Sequence, residues 1–222
     1  MPKPNDLFVG ILEFFAVLLP GAILAAISLP ILSKFVLGSI IPLPGSDIAK
    51  WAAFLVTSYF LGHFAFFAGS YIDPLYNKIR EWQNPYNNSS AYYSAKLVRD
   101  EFLTEQERKP LNTFQWSRSV LISTCPAAAD DVHRLEADSK FFRSLLVVFA
   151  VAAAAFLYKE KFMEAGLSVL LLLPCFARYY ERRLKSTTQA YIHVVALYRL
   201  GKLQPAGANA SHYTQLQLSS AS

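Results

Sequence analysis

The chain has 222 residues, 54% of them hydrophobic and only 17% charged, with a formal net charge of +5. The charged share is well below the roughly 25% of soluble domains, and the shortage is uneven: four stretches are nearly free of charge, whereas 73–143 and 178–202 are ordinary and polar. A soluble core would mix the two at helical period, so the pattern excludes a soluble globular fold. It predicts an all-α membrane protein with four transmembrane helices.

A spanning helix needs about 20 mostly apolar residues. The first candidate is Leu7–Leu29, which carries one carboxylate, Glu13, and a Pro20-Gly21 break. A cleaved signal peptide fits it poorly: Lys3 is its only basic flank, the apolar stretch is too long, and no A-x-A site precedes a polar start. Residues 30–50 are apolar but interrupted by Pro30, Gly38, Pro42, Pro44 and Gly45. They predict a re-entrant or interfacial outer segment, or a greasy loop packed on the bundle, with Asp47 capping the second span, Trp51–Ile72. Residues 1–72 therefore form an N-terminal transmembrane hairpin.

Residues 73–125 read as a cytoplasmic helical insert. Asp73-Pro74 predicts a cap followed by proline at the first helical position. Tyr71, Tyr76 and Trp82 are aromatic residues suited to a membrane interface. A short helix over 74–83 at headgroup level is expected, ending at Asn84-Pro85. A second helix starts at Ser89 or Ser90 and runs to about Leu103. Residues 111–124 show helical spacing at Phe114, Ser117 and Leu121, with enough β-branched and aromatic residues to leave a strand open. The Asn-x-Ser sequons at Asn87, Asn88 and Asn209 read as polar loop on the cytoplasmic side.

Residues 126–201 predict a long helical hairpin. Pro126 suits a helix start, and nothing breaks the pattern before Tyr158. The third span covers Ser144 to Tyr158, or begins earlier with Phe141-Phe142, and its extension over 126–143 is cytoplasmic. Only Lys159-Glu160-Lys161 separates it from the fourth span, Phe162 to about Phe176. Its cytoplasmic extension from Ala177 meets no glycine until Gly201, so the helix from Phe162 to Leu200 would be roughly 58 Å long, twice a bilayer core, with Pro174 as a kink site. The two extensions must run side by side. Asp130, Asp131, Glu136 and Asp138 then lie opposite Arg178, Arg182, Arg183 and Lys185. Exposed pairs are individually weak and would set register; the same basic residues suit contact with anionic lipid headgroups. Residues 202–222 read as a disordered tail.

Orientation follows from basic residues. The 73–143 region holds ten Lys and Arg and the 178–202 region six, against Lys34, Lys50, Lys159 and Lys161 on the other side. Both termini and the large polar segment are expected in the cytoplasm, in a bacterial inner membrane.

Chemistry is sparse. Cys125 and Cys175 form no CxxC or Cys/His pattern, so no metal or cofactor is predicted. The ten basic residues of 73–143 are balanced by ten acidic ones, with no basic-aromatic stripe for nucleic acid. GxSxG, P-loop and HExxH signatures are absent, and His133 beside Asp130 and Asp131 reads as solvated surface. No enzyme is expected.

The unusual residues lie in the first two spans. Glu13 falls about 9 Å and His63 about 13 Å from the same membrane face. Gly10, Glu13, Val17, Gly21 and Ser28 share one face of the first span, and Ser58, Gly62, Ala65 and Gly69 share one of the second. Small residues let spans approach closely, so Glu13 is expected to face the second span with His63 as its partner. The pair would lock two helices by a hydrogen bond, or carry a proton- or ion-linked role, unless each residue snorkels separately. Pro20 and Gly21 would bend the span, or act as a hinge that frees carbonyls for an ion. Together these readings imply a non-enzymatic protein that contacts membrane lipids, forms a homo-oligomer through its spans and binds a cytoplasmic protein partner with its polar helices. A membrane-perturbing effector of a bacterial stress or phage-defence system would have this layout. The alternative is a small ion or solute channel subunit with Glu13 and His63 in the path.

Overall fold

The computed structural model describes residues 4–32, 47–83 and 90–203, with side chains over 14–28, 47–82 and 90–203. All regular structure among them is helical: α1 (Pro4–Leu32), α2 (Asp47–Gly69), a 3-10 turn (Ser70–Ile72), α3 (Asp73–Gln83), α4 (Ser90–Phe102), α5 (Glu105–Arg108), α6 (Thr113–Thr124), α7 (Pro126–Tyr158) and α8 (Phe162–Arg199). Most of the outer segment 30–50, the sequons at Asn87, Asn88 and Asn209, and the tail from residue 204 lie outside the described residues.

Among the described residues, three helical stretches are long and apolar enough to cross a membrane: Asp47–Trp82, Pro126–Tyr158 and Phe162–Arg199. In α1 the described apolar stretch is Phe14–Ser28. By internal contact the chain divides into two compact units, Met1–Ile79 with His133–Leu184 and Arg80–Val132 with Lys185–Ser222.

In the first unit, α1 continues through Pro20 and Gly21, both buried. The reason lies in α2. A Cβ on Gly21 would collide with the carbonyl oxygen of Ser58 and the backbone of Gly62, and one on Gly62 would strike the carbonyl of Val17. The two backbones touch there, which only glycine permits. The buried residues of α2 are Ser58, Gly62, Ala65 and Gly69, the small-residue face expected from the sequence. Ser58 satisfies its buried hydroxyl by donating to the Phe54 carbonyl at 2.7 Å. Phe60, Phe64 and Phe67 turn outward. Leu24, Ala65 and Val148 form one small core of this unit, and Tyr76, Leu145, Leu146, Cys175 and Tyr179 another.

Two expected caps have other roles. Asp47 lies within the first turn of α2 and pairs with Lys50 at 3.1 Å. Asp73 has helical dihedrals (φ −57°, ψ −39°), because the 3-10 turn carries α2 almost directly into α3. An N-cap needs extended dihedrals to swing its oxygen back onto the first turn, so the Asp73 carboxylate is left to act elsewhere.

The α7–α8 connection is closed by the backbone. Glu160 adopts φ 58°, its N–H donates to Leu157 O at 3.0 Å, and Lys161 N–H donates to Phe156 O at 2.9 Å. That pair of bonds is a Schellman ending, here with glutamate in the left-handed position that usually holds glycine. Gly201 (φ 67°) ends α8 in the same way, with Gly201 N–H on Tyr198 O and Lys202 N–H on Leu197 O. Between these stops α8 has 38 residues and passes through Pro174.

The second unit has its own core of Val98, Trp116, Leu121, Ala129, Val132, Ala190, Val194, Leu197 and Leu203. The strand alternative for 111–124 gives way to helix α6, whose buried residues Thr113, Trp116, Ser117 and Leu121 follow helical spacing. Asn112 caps it by accepting from Gln115 N at 2.8 Å, while the Gln115 side chain returns to Asn112 N. Thr104 and Glu107 make the same reciprocal box for α5. The Thr104 backbone N–H and hydroxyl hold the Glu107 carboxyl below its usual range. Arg108 fastens the following turn by donating to the carbonyls of Leu103 and Asp100 at 2.9 and 2.7 Å.

Candidate functional site

The most organised polar site of the described residues lies in the first unit and centres on Asp73. Arg143 Nη1 donates to both Asp73 oxygens at 3.1 and 2.9 Å. Tyr179 Oη donates to Asp73 Oδ1 at 2.6 Å, and Arg183 Nη1 donates to the same oxygen at 2.9 Å. One carboxylate thus meets two guanidinium groups. Charge-assisted bonds of this kind are short and about twice as strong as neutral ones.

Each side chain is set by its element. Asp73 opens α3. Arg143 comes from α7, one residue before the apolar run that starts at Ser144. Tyr179 and Arg183 stand one turn apart on α8, past the end of its apolar run. Gly69 makes room for Arg143: a Cβ there would sit 3.1 Å from Arg143 Cγ and 3.3 Å from its carbonyl oxygen. Aromatic rings complete the shell. The Arg143 guanidinium lies 4.8 Å from the Phe66 ring centre, and that of Arg183 lies 4.9 Å from Tyr76. Tyr76 and Tyr179 are fully buried and meet edge to face at 5.6 Å. The Arg143 side chain is only 8% exposed. Burying a guanidinium is costly unless it is paired, and Asp73 supplies the pairing.

The residues expected from the sequence are distributed differently. Arg183 belongs to the Asp73 cluster. Arg182 meets Asp138 at 3.6 Å, one of the expected α7–α8 pairs. Arg178 pairs with Glu181 on its own helix at 2.8 Å. Lys185 is exposed and belongs to the second unit. His63 is exposed, with its ring edge against Tyr59 at 4.6 Å, and it lines a cavity with Ala16, Val17, Phe66, Ala137 and Lys140. Glu13 lies in α1, but its side chain is outside the described residues, so the Glu13–His63 pair is outside them too. Pro20 and Gly21 are buried at the α1–α2 contact.

Asp73, Arg143 and Tyr179 were not singled out as a site by sequence. A signal was present: all three stand just outside apolar runs, and opposite charges at the ends of such runs can pair. Among the described residues no group of three or more His, Cys, Asp or Glu is arranged to hold a metal ion.

Helices long and apolar enough to cross a membrane, joined by an ion cluster, define the class among the described residues: an all-α chain with the composition of a membrane protein. The chain matches no protein-family model, no curated protein and no solved structure.

Proposed function

We propose that this is a non-enzymatic, multi-pass protein of the bacterial inner membrane with four spans, α1 being the fourth, and with both termini and residues 73–143 cytoplasmic. The observation that carries this reading is the Asp73 cluster. It draws together the end of the apolar run 51–72, the start of 144–158 and the end of 162–176. A chain that crosses the bilayer at each run has those three ends on one face. For α1 the support is its 29 residues, about 43 Å of helix, and its close contact with α2. The excess of Lys and Arg assigns the shared face to the cytoplasm. There Trp82 and Tyr71, both well exposed, sit at headgroup level, and Arg178, Arg182 and Lys185 meet anionic lipid. The outward faces of α2 and α8 assemble copies of the chain, and the helices of the second unit bind a cytoplasmic protein partner. The layout suits a membrane-perturbing effector of a stress or phage-defence system. Reporter fusions after Ser90 and at Ser222 should read cytoplasmic, and one near Ser46 periplasmic. A periplasmic signal at Ser90 would overturn this topology.

A second reading, a small ion or solute channel subunit with Glu13 and His63 in the path, draws on the cavity at His63. Dye leakage from cells expressing the protein separates the two. Leakage that Glu13→Gln abolishes at unchanged protein level assigns conduction through that path. Leakage that Glu13→Gln leaves intact speaks for membrane perturbation by the assembly as a whole.

A further inference from the structure

The cavity beside His63 has a volume of about 160 Å³ and opens to the outside. Its walls come from three helices: Ala16 and Val17 of α1, His63 and Phe66 of α2, Ala137 and Lys140 of α7. Apart from the imidazole and the ammonium, the lining is apolar. No acidic side chain lines it among the described residues, and Lys140 makes no ion pair among them. Lys140 stands one turn before Ser144, where the apolar run of α7 begins, and Arg143 in the same turn belongs to the Asp73 cluster. The cavity therefore sits where apolar surface gives way to polar.

We infer that it takes the carboxylate end of a single-chain anionic amphiphile, a fatty acid, with the carboxylate on Lys140 Nζ and the His63 ring. The first methylenes lie against Ala16, Val17, Phe66 and Ala137. Each half of that ligand answers one half of the lining. A free inorganic anion would neutralise Lys140 but leave the apolar walls unfilled. An uncharged tail would fill the walls but leave an ammonium without a counter-charge at the edge of an apolar site, which is costly. Apolar cavities of about 150 Å³ hold a benzene-sized group, so this one suits about six carbons, and a longer chain leaves through the open side. One competing anion belongs to the protein itself: Glu13 precedes Ala16 and Val17 by three and four residues in α1.

The test uses the full-length protein in detergent, irradiated with palmitic acid that carries a diazirine near its carboxyl end, and in parallel with the matching uncharged alcohol. Peptides bearing Ala137 and Phe66 should be labelled by the acid about tenfold more than by the alcohol, the difference a charge-assisted hydrogen bond makes. Lys140→Met should remove that preference and Lys140→Arg keep it, while Lys161→Met, in the α7–α8 loop, changes nothing. The comparison of acid with alcohol on the unaltered protein needs no variant to fold. Equal labelling by acid and alcohol overturns the inference, as does labelling spread over the outer faces of α2 and α8 that ignores Lys140→Met. Labelling that appears only in Glu13→Gln also overturns it, because the chain's own carboxylate would then be the occupant.

Discussion

Asp73→Ala should lower the stability of the purified protein in detergent by about 3 kcal/mol, the lower end of the range for removing one partner of a buried ion pair. The lower end applies because the Asp73 side chain is 27% exposed, so water reaches part of the site. The loss is still large, because the Arg143 side chain is 8% exposed and its guanidinium would keep its charge without a counter-ion. Tyr179, fully buried, would lose the acceptor for its hydroxyl as well. Arg143→Met in the same background removes the uncompensated charge and fills its volume, so the double variant should recover part of the loss. Denaturant titration of the single and double variants reads this directly. A change below about 0.5 kcal/mol for Asp73→Ala, the size of an ordinary surface substitution, would mean that the cluster is solvated and does not hold the helix ends together.

The second large effect is expected at the α1–α2 contact. Gly62→Val should cost about 3 kcal/mol or more, at or beyond the upper end for overpacking. The obstacle is the carbonyl and side chain of Val17, and the carbonyl cannot rotate away as a side chain tip can. Gly21→Ala meets the same kind of obstacle, the carbonyl of Ser58, so even one methyl must push the helices apart. Gly166 is the internal control. It lies inside α8 with nothing within 4 Å of an added Cβ, so Gly166→Ala should stabilise by about 0.5–1 kcal/mol through reduced backbone freedom. Opposite signs at Gly62 and Gly166 identify close packing as the cause. Destabilisation of similar size at both positions would point instead to a general intolerance of substitution in these helices.

Sequence and tertiary structure divide the account of this protein along a physical line. Helix extent is governed by local periodicity and local stop signals. That is why Pro126–Tyr158 and Phe162–Arg199 were readable from Pro126, the Lys159-Glu160-Lys161 break and Gly201. The small face of α2 was readable too, since residues at helical spacing share a side whatever they touch. The choice of helix over strand for 111–124 needed the Asn112–Gln115 cap and the packing of Trp116 and Leu121. Charge partners needed the fold. A carboxylate next to a proline looks like a cap, and only the continuation of α2 through the 3-10 turn into α3 frees Asp73 from that role. Arg183 looked no different from Arg178 and Arg182 in sequence. Its position one residue after Arg182, about 100° further round α8, takes it to Asp73 while Arg178 stays with Glu181 and Arg182 goes to Asp138. Composition along one chain determines where helices run and which faces are apolar. Which ions meet depends on distances between residues such as Asp73, Arg143 and Tyr179, brought together from separate helices, and those distances exist only once the helices are packed.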